Sequence, residues 1–134
     1  MRKKMQKGAA VVTIGIVVLN YQTWELSLRC MESVQKACGA FRWQIYLVDN
    51  ASKRAMPPKI QCFLTKEGTR ACFLKADENR GYASGNNLGI ARALEDGCGV
   101  IVVANNDIVF KSGAIEAMAV CLLRHPKAGI VGPM

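Results

Sequence analysis

The sequence predicts an α/β fold built on a mainly parallel sheet, and three observations carry that reading. Four apolar runs recur along the chain, each nearly continuous rather than alternating, as strands covered on both faces are. The segments between them place apolar residues at helical spacing, so strand and helix alternate. The 134 residues, 51% of them hydrophobic, suffice for one sizeable core and point to a single globular domain.

The first run, 11 to 19, is rich in Val and Ile and predicts a buried strand. It follows a basic tail, 1–10, that carries Arg2, Lys3, Lys4 and Lys7, and the two together imitate a secretory signal. No small-x-small cleavage site follows, because the next residues are Asn20, Tyr21, Gln22, Thr23 and Trp24. The run is also well short of the ~20 residues of a spanning helix. Residues 11–134 therefore read as the domain, with the signal as a rival reading.

Thr23 then caps a helix through "TWELSLRCMESVQKAC", where Leu26, Cys30, Val34 and Ala37 share one stripe. The run 45 to 48 is the second strand. A basic loop, "ASKRAMPPKI", broken by Pro57 and Pro58, leads into a short helical piece up to Leu64. The run 71 to 74 is the third strand. The next helix begins near Ala83 or Ser84, with Leu88, Ala91 and Leu94 as its apolar stripe and Gly97 as its stop. The run 100 to 104 reads as a central strand. Ser112 caps the last helix, whose face is Ile115, Met118, Ala119, Leu122 and Leu123 and which ends before Pro126. A short apolar piece, "AGIVGPM", closes the chain.

The formal charge of +8 is uneven, with the basic tail at one end and six bases against a single acid, Glu67, between 51 and 75. This suits a phosphate-bearing ligand or an anionic membrane surface, and equally a solvated basic face. Nucleic acid is not expected, because no basic helix is interleaved with aromatics and no nucleic-acid motif occurs. Cys30, Cys38, Cys62, Cys72, Cys98 and Cys121 never form a C-x-x-C pair and read as small buried hydrophobes in a reducing, cytoplasmic setting.

In open α/β sheets ligands lie outside the carboxyl ends of the strands. All four predicted strands end there in polar residues: Asn20-Tyr21, Asp49-Asn50-Ala51-Ser52, Asp77-Glu78-Asn79-Arg80-Gly81 and Asn105-Asn106-Asp107. Asn and Asp also simply make turns, but the recurrence at every strand end favours a site. In "ENRGYASGNNLGI", Gly81 and Gly85 permit close backbone approach, a helix start offers unpaired N–H groups to an anion, and Asn86 and Asn87 fall in the first turn. Gly85 and Gly89, four apart, alternatively allow close helix packing. Neither G-x-G-x-x-G nor a Walker A lysine is present. Asp107 can hold a hard divalent cation that bridges to ligand phosphates, with Asn105 contributing an amide oxygen directly or through water.

The segments "VVTIGIVVLNYQTWELSLRCMESV", "YLVDNASKR", "ENRGYASGNNLGIARAL", "VIVVANNDIVFKSGAIEAM" and "HPKAGIVGPM" together resemble family 2 glycosyltransferases of the GT-A fold, especially the rhamnosyltransferase-like branch. The resemblance runs from Val11 onward and implies a three-layer α/β/α architecture. It also implies that Asn20, Tyr21, Asp49, Asn50 and Ser52 embrace the base and ribose of a nucleotide-sugar donor. Asn79, Gly81, Gly85 and Asn86 would lie along the nucleotide and sugar. Asn105-Asn106-Asp107 would stand in the place of the D-x-D motif, with Asp107 carrying Mn²⁺ or Mg²⁺ on the donor diphosphate.

Asn105 departs from the first carboxylate of that motif. The chain stops at Met134, whereas full members resemble it only in their first half, so the expectation is a donor-binding half without acceptor site or general base. His125 reads as structural. The expected activity is inverting transfer from a UDP-, TDP- or GDP-linked sugar to a saccharide or lipid-linked acceptor. Peripheral membrane contact at the inner face and homo-oligomers through uncovered apolar surface are further expectations. Rival readings are an inactive nucleotide-binding or interaction module, and a peripheral membrane or assembly protein.

Overall fold

The continuous apolar runs become strands of one sheet: β1 (Thr13–Asn20), β2 (Arg42–Asp49), β3 (Ala71–Lys75) and β4 (Val100–Asn105). They pair in the order β3-β2-β1-β4, every pair parallel. The computed structural model describes residues 11–134, and the basic tail 1–10 with Arg2, Lys3, Lys4 and Lys7 lies outside the described residues. Helices α1 (Trp24–Ala37), α2 (Pro58–Thr65) and α3 (Tyr82–Glu95) connect the strands, and α4 (Ala114–Arg124) follows β4.

The chain walks outward from β1 through β2 to β3, then returns to lay β4 on the other side of β1. Right-handed crossovers place the helices of the outward walk on one face and the returning helix on the opposite one. Side-chain packing agrees. Ile14, Ile16, Val18, Ile45 and Leu47 pack with Cys30 and Val34 of α1, Ile60 of α2 and Ile115 and Ala119 of α4. The alternate residues Val17, Tyr46 and Val48 face α3, where Ala93 meets them. The result is three layers with the sheet in the middle.

Four local expectations change. β4 is an edge strand among the described residues, not a central one, because the chain's return leaves its outer side unpaired. Thr23 holds the N-cap position of α1 but makes no capping bond, since its hydroxyl donates to the Tyr21 carbonyl at 3.3 Å and accepts from the Asn106 amide. The cap of α4 is Gly113 rather than Ser112: the turn needs φ +75, which glycine adopts freely, and the Ser112 hydroxyl instead donates to the Lys36 carbonyl at 3.5 Å. Cys62 and Cys121 are exposed, while Cys30, Cys38 and Cys98 are buried as expected and all six are free thiols.

The largest correction concerns α3. Its predicted stripe of Leu88, Ala91 and Leu94 faces solvent, with Leu94 60% exposed, and the buried face is Gly85, Asn86, Gly89 and Ala93. A Cβ on Gly89 would lie 2.5 Å from Val17 Cγ1 and 2.9 Å from Val48 Cγ2. A Cβ on Gly85 would lie 2.5 Å from Leu19 Cδ1. The helix backbone thus rides directly on β1 and β2, and small residues rather than large apolar ones form its seam. No helix among the described residues is long and apolar enough to cross a membrane.

Candidate functional site

Parallel pairing aligns the carboxyl ends of the strands in one row. Asn20 of β1 is in register with Asp49 of β2, and Asp49 with Lys75 of β3. Strand order reverses between β1 and β4, the topological position at which open α/β sheets leave a crevice. Because side chains alternate along each strand, the polar residues divide between the two faces of the sheet.

On the α1 face they form one continuous chain of hydrogen bonds. Asn106 Nδ2 donates to Thr23 Oγ1 at 2.7 Å and to Ser27 Oγ at 2.9 Å. Ser27 Oγ donates to Asn20 Oδ1 at 2.8 Å, and Asn20 Nδ2 donates to Asp49 Oδ1 at 3.0 Å. Ser52 Oγ donates to the same Asp49 oxygen at 2.5 Å and accepts from Gln22 N at 2.8 Å. Asn20 is 0% exposed and Asp49 3% exposed, so their hydrogen-bonding groups face each other rather than open solvent. Two non-glycine residues, Gln22 (φ 66) and Ala51 (φ 60), are left-handed beside this chain. That conformation costs roughly 1–2 kcal/mol each and is held here by the Ser52 contacts that bridge the two turns.

On the α3 face the cluster is looser. Asn50 Nδ2 donates to Asn79 Oδ1 at 3.0 Å and to the Gly81 carbonyl at 3.2 Å. Asn79 Oδ1 also accepts from Gly81 N at 2.9 Å, which fixes Gly81 (φ 96) as the N-cap of α3. Asn86 Nδ2 donates to the Tyr82 carbonyl at 3.1 Å. The side-chain oxygens of Asn50 and Asn86 are buried without a partner. Each such orphaned acceptor costs about 1–3 kcal/mol.

At the end of β4 the three polar residues part company. Asn106 turns into the start of α1. Asn105 is exposed and its Oδ1 accepts from Tyr82 Oη at 2.9 Å, tying β4 to the first turn of α3. Asp107 is exposed and makes no hydrogen bond or ion pair among the described residues. Its charge, after burial, helps push the nearby Cys30 thiol up to about 11, so that thiol stays protonated at neutral pH and is no nucleophile. No group of three His, Cys, Asp or Glu gathers among the described residues. Asp107 therefore fits a hard divalent ion only as a single carboxylate shared with ligand phosphates and water, an arrangement Mg²⁺ accepts.

The predicted residues thus meet at one end of the sheet, with differing exposure. Tyr21 is 45% exposed, and Asn79, Gly81, Asn105 and Asp107 face outward. Asn20, Asn50, Gly85 and Asn86 are buried, with Gly85 against Leu19 and Asn50. His125 bonds locally, its Nδ1–H donating to the Cys121 carbonyl at 2.7 Å. Ser27, Phe73, Lys75 and Tyr82 belong to the same end and were not anticipated. Lys75 closes the third run directly and Tyr82 opens the third helix, and those positions were their only signal. Beside Asp49 a cavity of about 610 Å³ opens, walled by Ser52, Lys53, Phe73 and Lys75 among others.

A family model described as glycosyl transferase family 2 matches residues 13–134. No curated protein sequence matches the chain. Among solved structures, TarS of S. aureus (1-349) superposes with TM-score 0.70 at 13% identity, over 92% of this chain and 39% of that one. A TarS structure with UDP gives TM-score 0.69 at 13% identity, over 92% of this chain and 38% of that one. The mannosyltransferase PcManGT of Pyrobaculum calidifontis, solved with GDP-Man and Mn²⁺, gives 0.70 at 20% identity, over 87% of this chain and 33% of that one. Such identities speak for the fold, and the chain spans about two fifths or less of the length of these relatives.

Proposed function

The chain belongs to glycosyl transferase family 2 and has the GT-A fold, and from that membership we propose that it is the donor-binding domain of a sugar transferase. Residues 11–134 form that domain in this reading, and the donor is a nucleoside-diphosphate sugar. The observation that carries it is the gathering of the polar strand ends, Asp49 and Asp107 among them, at the carboxyl end of the sheet beside its switch point, where Asn50, Asn79 and Asn105 are tied to the start of α3. The relatives solved with UDP and with GDP-Man and Mn²⁺ support it.

Asp49, Ser52 and the exposed Tyr21 are proposed to take the base and ribose, with Asn20 holding Asp49 in place from behind. Asn79, Gly81 and the free N–H groups of the first α3 turn face the sugar and phosphates, while Asn50, Gly85 and Asn86 shape that turn. Asn105, its oxygen taken by Tyr82, turns its amide N–H groups to the diphosphate, and Asn106 fixes the loop that presents them. Mn²⁺ or Mg²⁺ held by Asp107 would neutralise charge growing on the leaving diphosphate. An acceptor hydroxyl, on a saccharide or a lipid-linked glycan, would displace that diphosphate with inversion, its proton taken by a base in the second half that the resemblance implies. A cytoplasmic setting at the inner face of an anionic membrane suits the basic segments.

The test is calorimetric titration of the chain with UDP, TDP and GDP, each with and without Mn²⁺. We expect one class to bind, with Mn²⁺ improving affinity by about tenfold or more, ~1.4 kcal/mol. Asp107→Asn abolishes that metal effect while leaving the metal-free affinity unchanged. Absence of binding by every nucleotide would defeat the proposal. A second reading, a nucleotide-binding module without turnover, is favoured by Asn105 in place of a carboxylate, and donor hydrolysis or transfer by the purified chain would remove it.

A further inference from the structure

We propose that Tyr82 is a positioning residue: its hydroxyl turns the Asn105 amide N–H groups toward a diphosphate and keeps the amide oxygen from a metal, and so sets how far nucleotide binding depends on that metal. This rests on the donor-binding reading above and adds the control of its metal dependence. Tyr82 Oη donates to Asn105 Oδ1 at 2.9 Å. An Asn side chain has an acceptor end and a donor end. With Oδ1 engaged, what the exposed Asn105 offers outward is Nδ2, which makes no hydrogen bond among the described residues.

Both ends of this strap are anchored by their own elements. Tyr82 is the first residue of α3, and the Gly81 N-cap before it donates its N–H to Asn79 Oδ1 at 2.9 Å. The Tyr82 carbonyl accepts from Asn86 Nδ2 at 3.1 Å, so its backbone cannot swing without disturbing the first turn. Asn105 ends β4 in register with Leu19 of β1, and its carbonyl accepts from the Cys30 thiol at 3.8 Å. What stays adjustable is rotation of the Asn105 amide about its Cβ–Cγ bond, a soft torsion that the Tyr82 hydroxyl decides. Tyr82 is 57% exposed, so that hydroxyl is not needed to fill the core.

The orientation matters because phosphate and metal ask for opposite ends of the amide. Two carboxylates at a strand end repel a diphosphate until a cation comes between them. Asn105 and Asp107 carry one negative charge between them, and N–H groups turned outward attract phosphate oxygens. A hard cation takes oxygen ligands, and with Oδ1 engaged only Asp107 of the pair has side-chain oxygens free for it. The Tyr82 hydroxyl thus acts in one direction on both, toward phosphate held by N–H and away from metal held by the amide oxygen. Without it, the amide is free to turn Oδ1 outward.

The experiment is titration of the full chain with UDP, TDP and GDP, each with and without Mn²⁺, for wild type, Tyr82→Phe, Asn105→Ala and the double variant. Tyr82→Phe keeps the exposed ring and removes only the hydroxyl. For the nucleotide that binds, it should lower the metal-free affinity and raise the gain from Mn²⁺, each by roughly two- to tenfold, the range of one hydrogen bond. In the Asn105→Ala background the same substitution should change neither quantity, which a merely structural role of Tyr82 would not produce. Wild-type values for Tyr82→Phe with and without Mn²⁺, tighter metal-free binding, or an equal effect in the Asn105→Ala background overturns this inference and leaves the donor-binding reading standing. No binding by any of the three nucleotides overturns both.

Discussion

At the scale of single residues, the polar strand ends divide into groups that hold one another and groups that remain free. Asn20 illustrates the first kind. Its amide supplies Asp49 and accepts from Ser27, so Asn20→Ala strands two buried partners at once. We expect a loss of about 2–3 kcal/mol in urea unfolding, larger than for an exposed polar residue, where changes stay within ~0.5 kcal/mol. Tyr46 supplies a second residue-scale prediction. Its hydroxyl donates to Asp96 Oδ2 at 2.9 Å and, with Arg92 beside it, holds the Asp96 carboxyl below the ordinary carboxylate range. A lowered carboxyl stabilises the fold above its unfolded value, and that contribution is lost as pH falls through the folded value. The advantage of wild type over Tyr46→Phe should therefore narrow on acidification, as read from urea midpoints at neutral pH and in the acid range. At this scale the residue types of the site were legible from sequence, but their directions were not. Asn105 and Asn106 are chemically identical neighbours, yet one meets Tyr82 and the other is committed to Thr23 and Ser27. Only the positions of α1 and α3 decide which does which.

At the scale of elements, the strands were readable because burial on both faces writes a continuous apolar run, and α2 because Pro57 and Pro58 mark its start. α3 was misread for a physical reason. Periodicity methods weigh large apolar side chains, and the seam of α3 is made of Gly85, Gly89 and Ala93, which score almost nothing. The correction yields a paired prediction. Gly89→Ala gains about 1 kcal/mol of helix propensity but forces a methyl group to 2.5 Å from Val17, and overpacking costs roughly 1–3 kcal/mol. Contacts at 2.5 Å with Val17 and 2.9 Å with Val48, both β-branched, should win, giving net destabilisation in thermal unfolding. Leu94→Ala, on the face the periodicity had assigned to the core, should change stability by no more than ~0.5 kcal/mol, against the 2–5 kcal/mol of a buried leucine.

At the scale of the whole molecule, alternation of strand and helix predicted the class, but not which strand would lie at the edge. That depends on the return of the chain from β3 across β2 and β1, which no local pattern encodes. The centre of the sheet is β1 and β2, each paired on both sides, while β3 and β4 are paired on one. Amide exchange should follow this order, slowest at Ile16–Val18 and Ile45–Val48 and faster in β4 and in 125–134. Saturation with a nucleotide should add protection at the strand ends and the first turn of α3, leaving β4's outer side unchanged. The glycine seam of α3 has one more consequence. Glycine and alanine carry no rotamers, so the contact between helix and sheet has almost no side-chain entropy to lose and no soft spring to compress. A ligand arriving at the head of this helix meets a rigid anvil, and the heat capacity of its binding should report the area of the ligand itself rather than any rearrangement of the protein beneath it.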